Sequence, residues 1–144
     1  MAVTCRVYSN LSDEVFKVLR NIKQYDEETQ KNIRSAVRDG TKEVLTEAIR
    51  RAPMRTGKLK ASITMSFDYD KSMGIVRAKS PHAHLVEYGT RAVTITPQMR
   101  KVLEINGKFA TYANIPAKAA HPFMRPAIEK VRPDIEKKII EALK

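Results

Sequence analysis

Residues 47–69 read Glu-Ala-Ile-Arg-Arg-Ala-Pro-Met-Arg-Thr-Gly-Lys-Leu-Lys-Ala-Ser-Ile-Thr-Met-Ser-Phe-Asp-Tyr, and the apolar period changes within them. Upstream, Val44, Leu45, Ala48 and Ile49 recur at helical spacing. Downstream, Ile63, Met65, Phe67 and Tyr69 alternate with Ser62, Thr64, Ser66 and Asp68, the pattern of a half-buried strand. Pro53 stops the helix, because the residue before a proline is pushed out of helical geometry. Gly57 permits a positive φ in a tight basic turn, and Leu59 and Ile63 return the chain to the core. A helix therefore hands over to a strand from Ala61 onward.

Toward the N-terminus, Ile33, Ala36 and Val37 extend the apolar stripe back to Asp26-Glu27-Glu28, a fresh helix start after a joint near Gln24-Tyr25. Gly40 lies inside this helix at a modest propensity cost. A preceding helix carries Val15, Leu19 and Ile22, widened by Phe16 and Val18, with Asn10 or Ser12 as its cap. Val3, Cys5 and Val7 alternate with polar residues and predict a short edge strand.

Toward the C-terminus, Asp70 to Gly74 supplies a turn, and Ile75, Val76 and Ala78 continue as a partner strand. Pro81 to Glu87 is a short connection with room for one helical turn. Arg91 to Thr96 and Lys101 to Ile105 read as further strand material. Asn106-Gly107 predicts a type I′ hairpin that returns Phe109 to Tyr112 beside Val102 to Ile105. Ala113 to His121 reads as loop. A last helix opens between Pro122 and Pro126 and carries Ile128, Val131, Ile135, Ile139 and Leu143, with Pro133 predicting a kink or split. The order specifies an α+β protein. Long N-terminal helices and a C-terminal helix pack on one face of an antiparallel sheet of four to five strands, in a single domain spanning 1–144.

The 144 residues are 42% apolar and 30% charged, an ordinary soluble composition that builds a core without disulfide or metal. No apolar run reaches the ~20 residues of a membrane span. The first fifteen residues hold no apolar core of a secretory signal. The lone Cys5 forms no intrachain disulfide and suits a reducing cytoplasm. Lys and Arg total 27 against 16 Asp and Glu, so the net charge of +11 favours nucleic acid, an anionic membrane surface or an acidic protein as partner. The basic residues are spread out, with their closest clusters at Arg50-Arg51 through Lys60 and at Arg91 with Arg100-Lys101. No zinc-finger spacing or RNP-like string accompanies them.

Catalytic patterns are weak. His82-Ala83-His84 would present two imidazoles on one side of a strand, with His121 as a third zinc ligand, but no CxxC, HExxH or carboxylate pattern supports a site. Cys5 reads as a small apolar residue. Thr56-Gly57-Lys58 lacks the first glycine of a phosphate loop, and the order of helix and strand is inverted. No catalytic residue, cofactor site or metal site is assigned, and the chain reads as a non-enzyme.

Three junctions are distinctive as a set. They are Ala52-Pro53-Met54-Arg55-Thr56-Gly57-Lys58-Leu59 with Ser62-Ile63, then Glu87-Tyr88-Gly89-Thr90, then Pro122-Phe123-Met124-Arg125-Pro126-Ala127. In this order they resemble the phage tail-component family typified by the gene-ten product of phage HK-97. The motif positions carried over are Pro53, Arg55, Thr56, Gly57, Leu59, Glu87, Tyr88, Gly89, Thr90, Pro122, Phe123, Arg125 and Pro126, as structural or interface residues. The stretch from Thr90 to Ala120 is longer than the family's usual spacer.

The resemblance implies a non-enzymatic virion protein of a long-tailed phage or prophage, assembled in the host cytoplasm. It completes the tail and joins it to the head at the neck. The implied partners are its own copies in a six-membered ring, monomeric before docking, a head-completion or neck protein, and the tail tube protein. On the DNA exit path such a ring could touch passing DNA through its Lys and Arg, but tight binding would impede ejection, so the charge favours an acidic partner face; no membrane is expected. Head-to-tail interfaces close such rings by rotation. The alternative reading from composition is a small basic nucleic-acid-binding module.

Overall fold

Asp26 opens the longest helix of the described residues. Helix α1 (Asp13–Arg20) follows its N-cap Ser12 and leads through a 3-10 turn at Ile22–Gln24 into α2 (Glu27–Arg51). The Asp26 carboxylate accepts the Thr29 N–H at 3.1 Å and the Thr29 hydroxyl at 2.7 Å. These bonds favour its ionised form and lower its pKa. The computed structural model describes residues 3–6, 12–98 and 102–144. The expectations placed on Val7, Asn10, Arg100 and Lys101 lie outside them, as does the side chain of Cys5.

Pro53 and Gly57 do what their chemistry dictates. Helix α2 ends at Arg51, Ala52 is extended, and Gly57 adopts φ 77°. One feature differs from the period-two reading. Lys58–Ser62 forms a short helix, α3, and the strand starts at Ile63. Five residues are too few for periodicity to reveal a helical turn.

Three antiparallel strands, β1 (Val3–Arg6), β2 (Ile63–Asp68) and β3 (Met73–Ala78), form a sheet in the order β1-β3-β2, with β1 at an edge. The register pairs Ile63 with Ala78, Met65 with Val76 and Phe67 with Gly74. These residues share one face, against which α2 packs. Ser66 and Arg77 on the other face are exposed.

The last helix, α5 (Met124–Ala142), lies along α2. Gly40 sits at their contact: a Cβ there would stand 2.4 Å from Ile135 Cγ1. Its propensity cost therefore permits close helix packing. Polar links flank this seam. Lys138 of α5 bonds Glu43 of α2, and Lys130 reaches Glu47 at 3.3 Å. Helix α5 is not split at Pro133, whose exposed position lets the carbonyl left without a partner face water.

The remaining strands do not join this sheet. After the short helix α4 (Ala83–Tyr88) come β4 (Val93–Ile95), β5 (Leu103–Ile105), β6 (Lys108–Ala110) and β7 (Ala113–Ile115). They form two antiparallel ribbons, β5 with β6 and β4 with β7. The hairpin at Asn106-Gly107 has φ 52° and 77°, the double positive φ of a type I′ turn. Residues 113–115, read from sequence as loop, are the strand β7. A three-residue polar–apolar segment gives no pattern until its partner Val93–Ile95 is beside it. The architecture is α+β, with the strand material divided between one sheet and these two ribbons.

Candidate functional site

Helix α5 begins at a residue that cannot cap it. Its N-cap is Phe123, which has no side-chain acceptor for the unpaired amides of the first turn. Glu87, at the end of α4, supplies one. Its Oε2 accepts the N–H groups of Phe123 at 2.8 Å and Met124 at 3.1 Å, and its Oε1 accepts that of Arg125 at 3.0 Å. Glu87 is only 4% exposed. A buried carboxylate is tolerated here because three donors satisfy it and the helix N-terminus favours negative charge. Phe123 is fully buried and Met124 nearly so, which fixes the helix start in the core.

The next two motif residues continue this contact. Gly89 has φ 75° and ψ −178°, a conformation essentially restricted to glycine. A Cβ there would lie 2.7 Å from the Lys118 carbonyl oxygen and 2.9 Å from the Ala120 nitrogen. Thr90 and Lys118 then exchange both backbone hydrogen bonds, at 3.0 and 3.1 Å. The His121 N–H also donates to the Val86 carbonyl at 2.8 Å.

This bridge clips together the two ends of an arm, residues 91–117, that carries both ribbons. No described residue between Tyr88 and Pro122 is buried. The arm nevertheless exposes Val93, Ile95, Val102, Ile105, Phe109, Tyr112 and Ile115. These are seven of the twelve exposed large apolar residues among the described residues, and Phe109 is 70% exposed.

The first motif meets the arm base across an open cleft of about 1400 Å³. Pro53, Arg55, Thr56 and Leu59 line it on one side, and Thr90, Arg91, Lys118 and His121 on another. Gly57 has open space where a Cβ would sit, so its requirement is conformational. Tyr88 is 75% exposed, outside the core. Arg125 is exposed and pairs with Glu129 at 3.1 Å, while Pro122 is exposed and Pro126 half-buried.

Local sequence gave no sign of Lys118 or Lys79, both at the cleft, because each is an isolated lysine in a connection. His82 and His121 line the cleft and His84 is half-buried. His82 caps α4 and His84 lies within it, so the two are not presented on one side as in a strand. Among the described residues, no group of three or more His, Cys, Asp or Glu is placed to hold a metal ion. Among the same residues, no helix is long and apolar enough to cross a membrane.

A family model described as "Bacteriophage HK97-gp10, putative tail-component" matches residues 16–89, or 74 of the 144 residues. The chain belongs to this family of phage tail components. Comparison with curated proteins and with solved structures gave no match. The matched region runs from α1 through the Glu87-Tyr88-Gly89 turn, so the arm and α5 lie beyond it. A structural role in a phage particle follows from the family.

Proposed function

We propose that this protein completes the tail of a long-tailed phage or prophage and joins it to the head at the neck. In this reading it acts without catalysis, as one copy of a closed ring assembled in the host cytoplasm. The observation that carries the reading is the arm: exposed, rich in apolar side chains, and clipped at its base to motif residues of the body. Its ribbons leave strand edges free among the described residues, and an unpaired edge can accept a neighbour's backbone. A contact between the arm of one copy and a different surface of the next is head-to-tail, the kind that closes into a ring. The head-completion protein and the tail tube are the proposed neighbours above and below, and passing DNA makes at most a transient contact.

Removing residues 104–109, around Asn106-Gly107, tests the role of the arm. The expected product is a folded monomer with unchanged helical content that no longer assembles on tails. Assembly at the wild-type level would contradict the reading.

A further inference from the structure

We infer that the cleft between the Arg55 turn and the arm base is a docking groove for an extended acidic segment of another protein. Among the described residues, five cationic ones, Arg55, Lys58, Lys79, Arg91 and Lys118, line the cleft, and no carboxylate does. The ion pairs among the described residues lie on α2 and α5, and none involves these five. Their charges are therefore uncompensated within a concave surface, where a field is focused.

Leu59, Val86, Val93 and Ile115 line the same cleft and give it apolar surface. This combination fits a peptide that alternates carboxylates with apolar anchors. It fits nucleic acid less well, since among the described residues no Phe, Tyr or Trp lines the cleft as a platform for base stacking. A second copy of this chain is also a poor occupant. Each copy carries +11, and the longest acidic run, Asp26-Glu27-Glu28, has its first carboxylate engaged as a helix cap. An acidic neighbour is the complementary partner. The inference concerns the cleft alone and stands whether or not the arm closes a ring.

The test uses the purified full chain and three probes. These are a short fluorescein-labelled peptide alternating Glu and Leu, its counterpart with Gln for Glu, and an oligothymidylate of matched charge. Fluorescence anisotropy should show saturable binding of the Glu-Leu peptide, weakened by about tenfold or more in the double variant Arg55→Glu, Lys118→Glu. Both side chains lack ion-pair partners among the described residues, so the thermal melt of the variant should match wild type. Added salt should weaken binding. Equal binding of the Gln peptide would overturn the role of charge. Oligothymidylate binding as tight as the acidic peptide, and lost in the same variant, would make the cleft a nucleic-acid site instead. No binding of the Glu-Leu peptide would also overturn the inference.

Discussion

Glu87 and Phe123 lie 36 residues apart, and the carboxylate of the first accepts the backbone N–H of the second at 2.8 Å inside the protein. The bond joins the end of one motif to the start of another. It replaces a capping residue that the local sequence of α5 does not provide. The arm leaves and returns between these two residues, and the Thr90–Lys118 bridge pairs its two ends.

Glu87→Ala should therefore destabilise the fold by about 3 kcal/mol, since it strips buried amides of their acceptor at a helix N-terminus. Glu87→Gln retains one acceptor oxygen and should cost less. Urea denaturation followed by circular dichroism measures both. A loss of stability in the alanine variant within error of zero would remove this contact from the account.

Gly57→Ala and Gly89→Ala separate two reasons for glycine. Position 57 has only a backbone conformation to satisfy, and alanine there should cost about 1 kcal/mol. Position 89 adds a backbone collision with Lys118 and Ala120, so alanine should cost more than about 3 kcal/mol and loosen the arm base. Hydrogen exchange at the Thr90 and Lys118 amides should rise selectively in the second variant. Equal penalties at the two positions would contradict the close approach.

At the α2–α5 seam, Gly40→Ala should destabilise by about 1–3 kcal/mol through overpacking against Ile135, despite the better helix propensity of alanine. Ile135→Ala alone should cost about 2–5 kcal/mol by leaving a cavity. The double variant should lose less than the sum, because each change relieves the other. Additive penalties in thermal denaturation would argue against the contact.

Acid stability should depend on Glu47. Its pKa is lowered from 4.5 to about 2, first by its hydrogen bond to Arg50, with Arg51 and Lys130 adding to the effect against the cost of desolvation. A folded-state pKa below the unfolded value means that the stabilisation is present above pH 4.5 and is lost as the pH falls toward 2. Glu47→Gln should be less stable than wild type near neutrality, with the difference narrowing across that acid range. A difference independent of pH would contradict the assignment.

Much of the body was legible because its signals are local. Pro53 and Gly57 announce a helix stop and a left-handed turn, Asp26-Glu27-Glu28 announces a helix start, and Asn106-Gly107 announces a hairpin. The period-two run from Ile63 placed β2 and its partner β3. What escaped the sequence is what depends on residues far apart. Nothing beside Phe123 shows that Glu87 caps its helix. Nothing beside Gly40 shows that Ile135 presses against it. The strand Ala113–Ile115 was hidden for the same reason, since its pairing with Val93–Ile95 spans the whole arm. The cleft is also tertiary: Arg55, Lys79 and Lys118 are dispersed in the chain and meet only in the fold.

Electron microscopy of a lysate from the phage or prophage with this gene disrupted examines the role in tail completion and head joining without any intermediate. The expected result is DNA-filled heads separate from tails, or tails of uncontrolled length, with the length distribution distinguishing joining from completion. Normal infectious virions would contradict it.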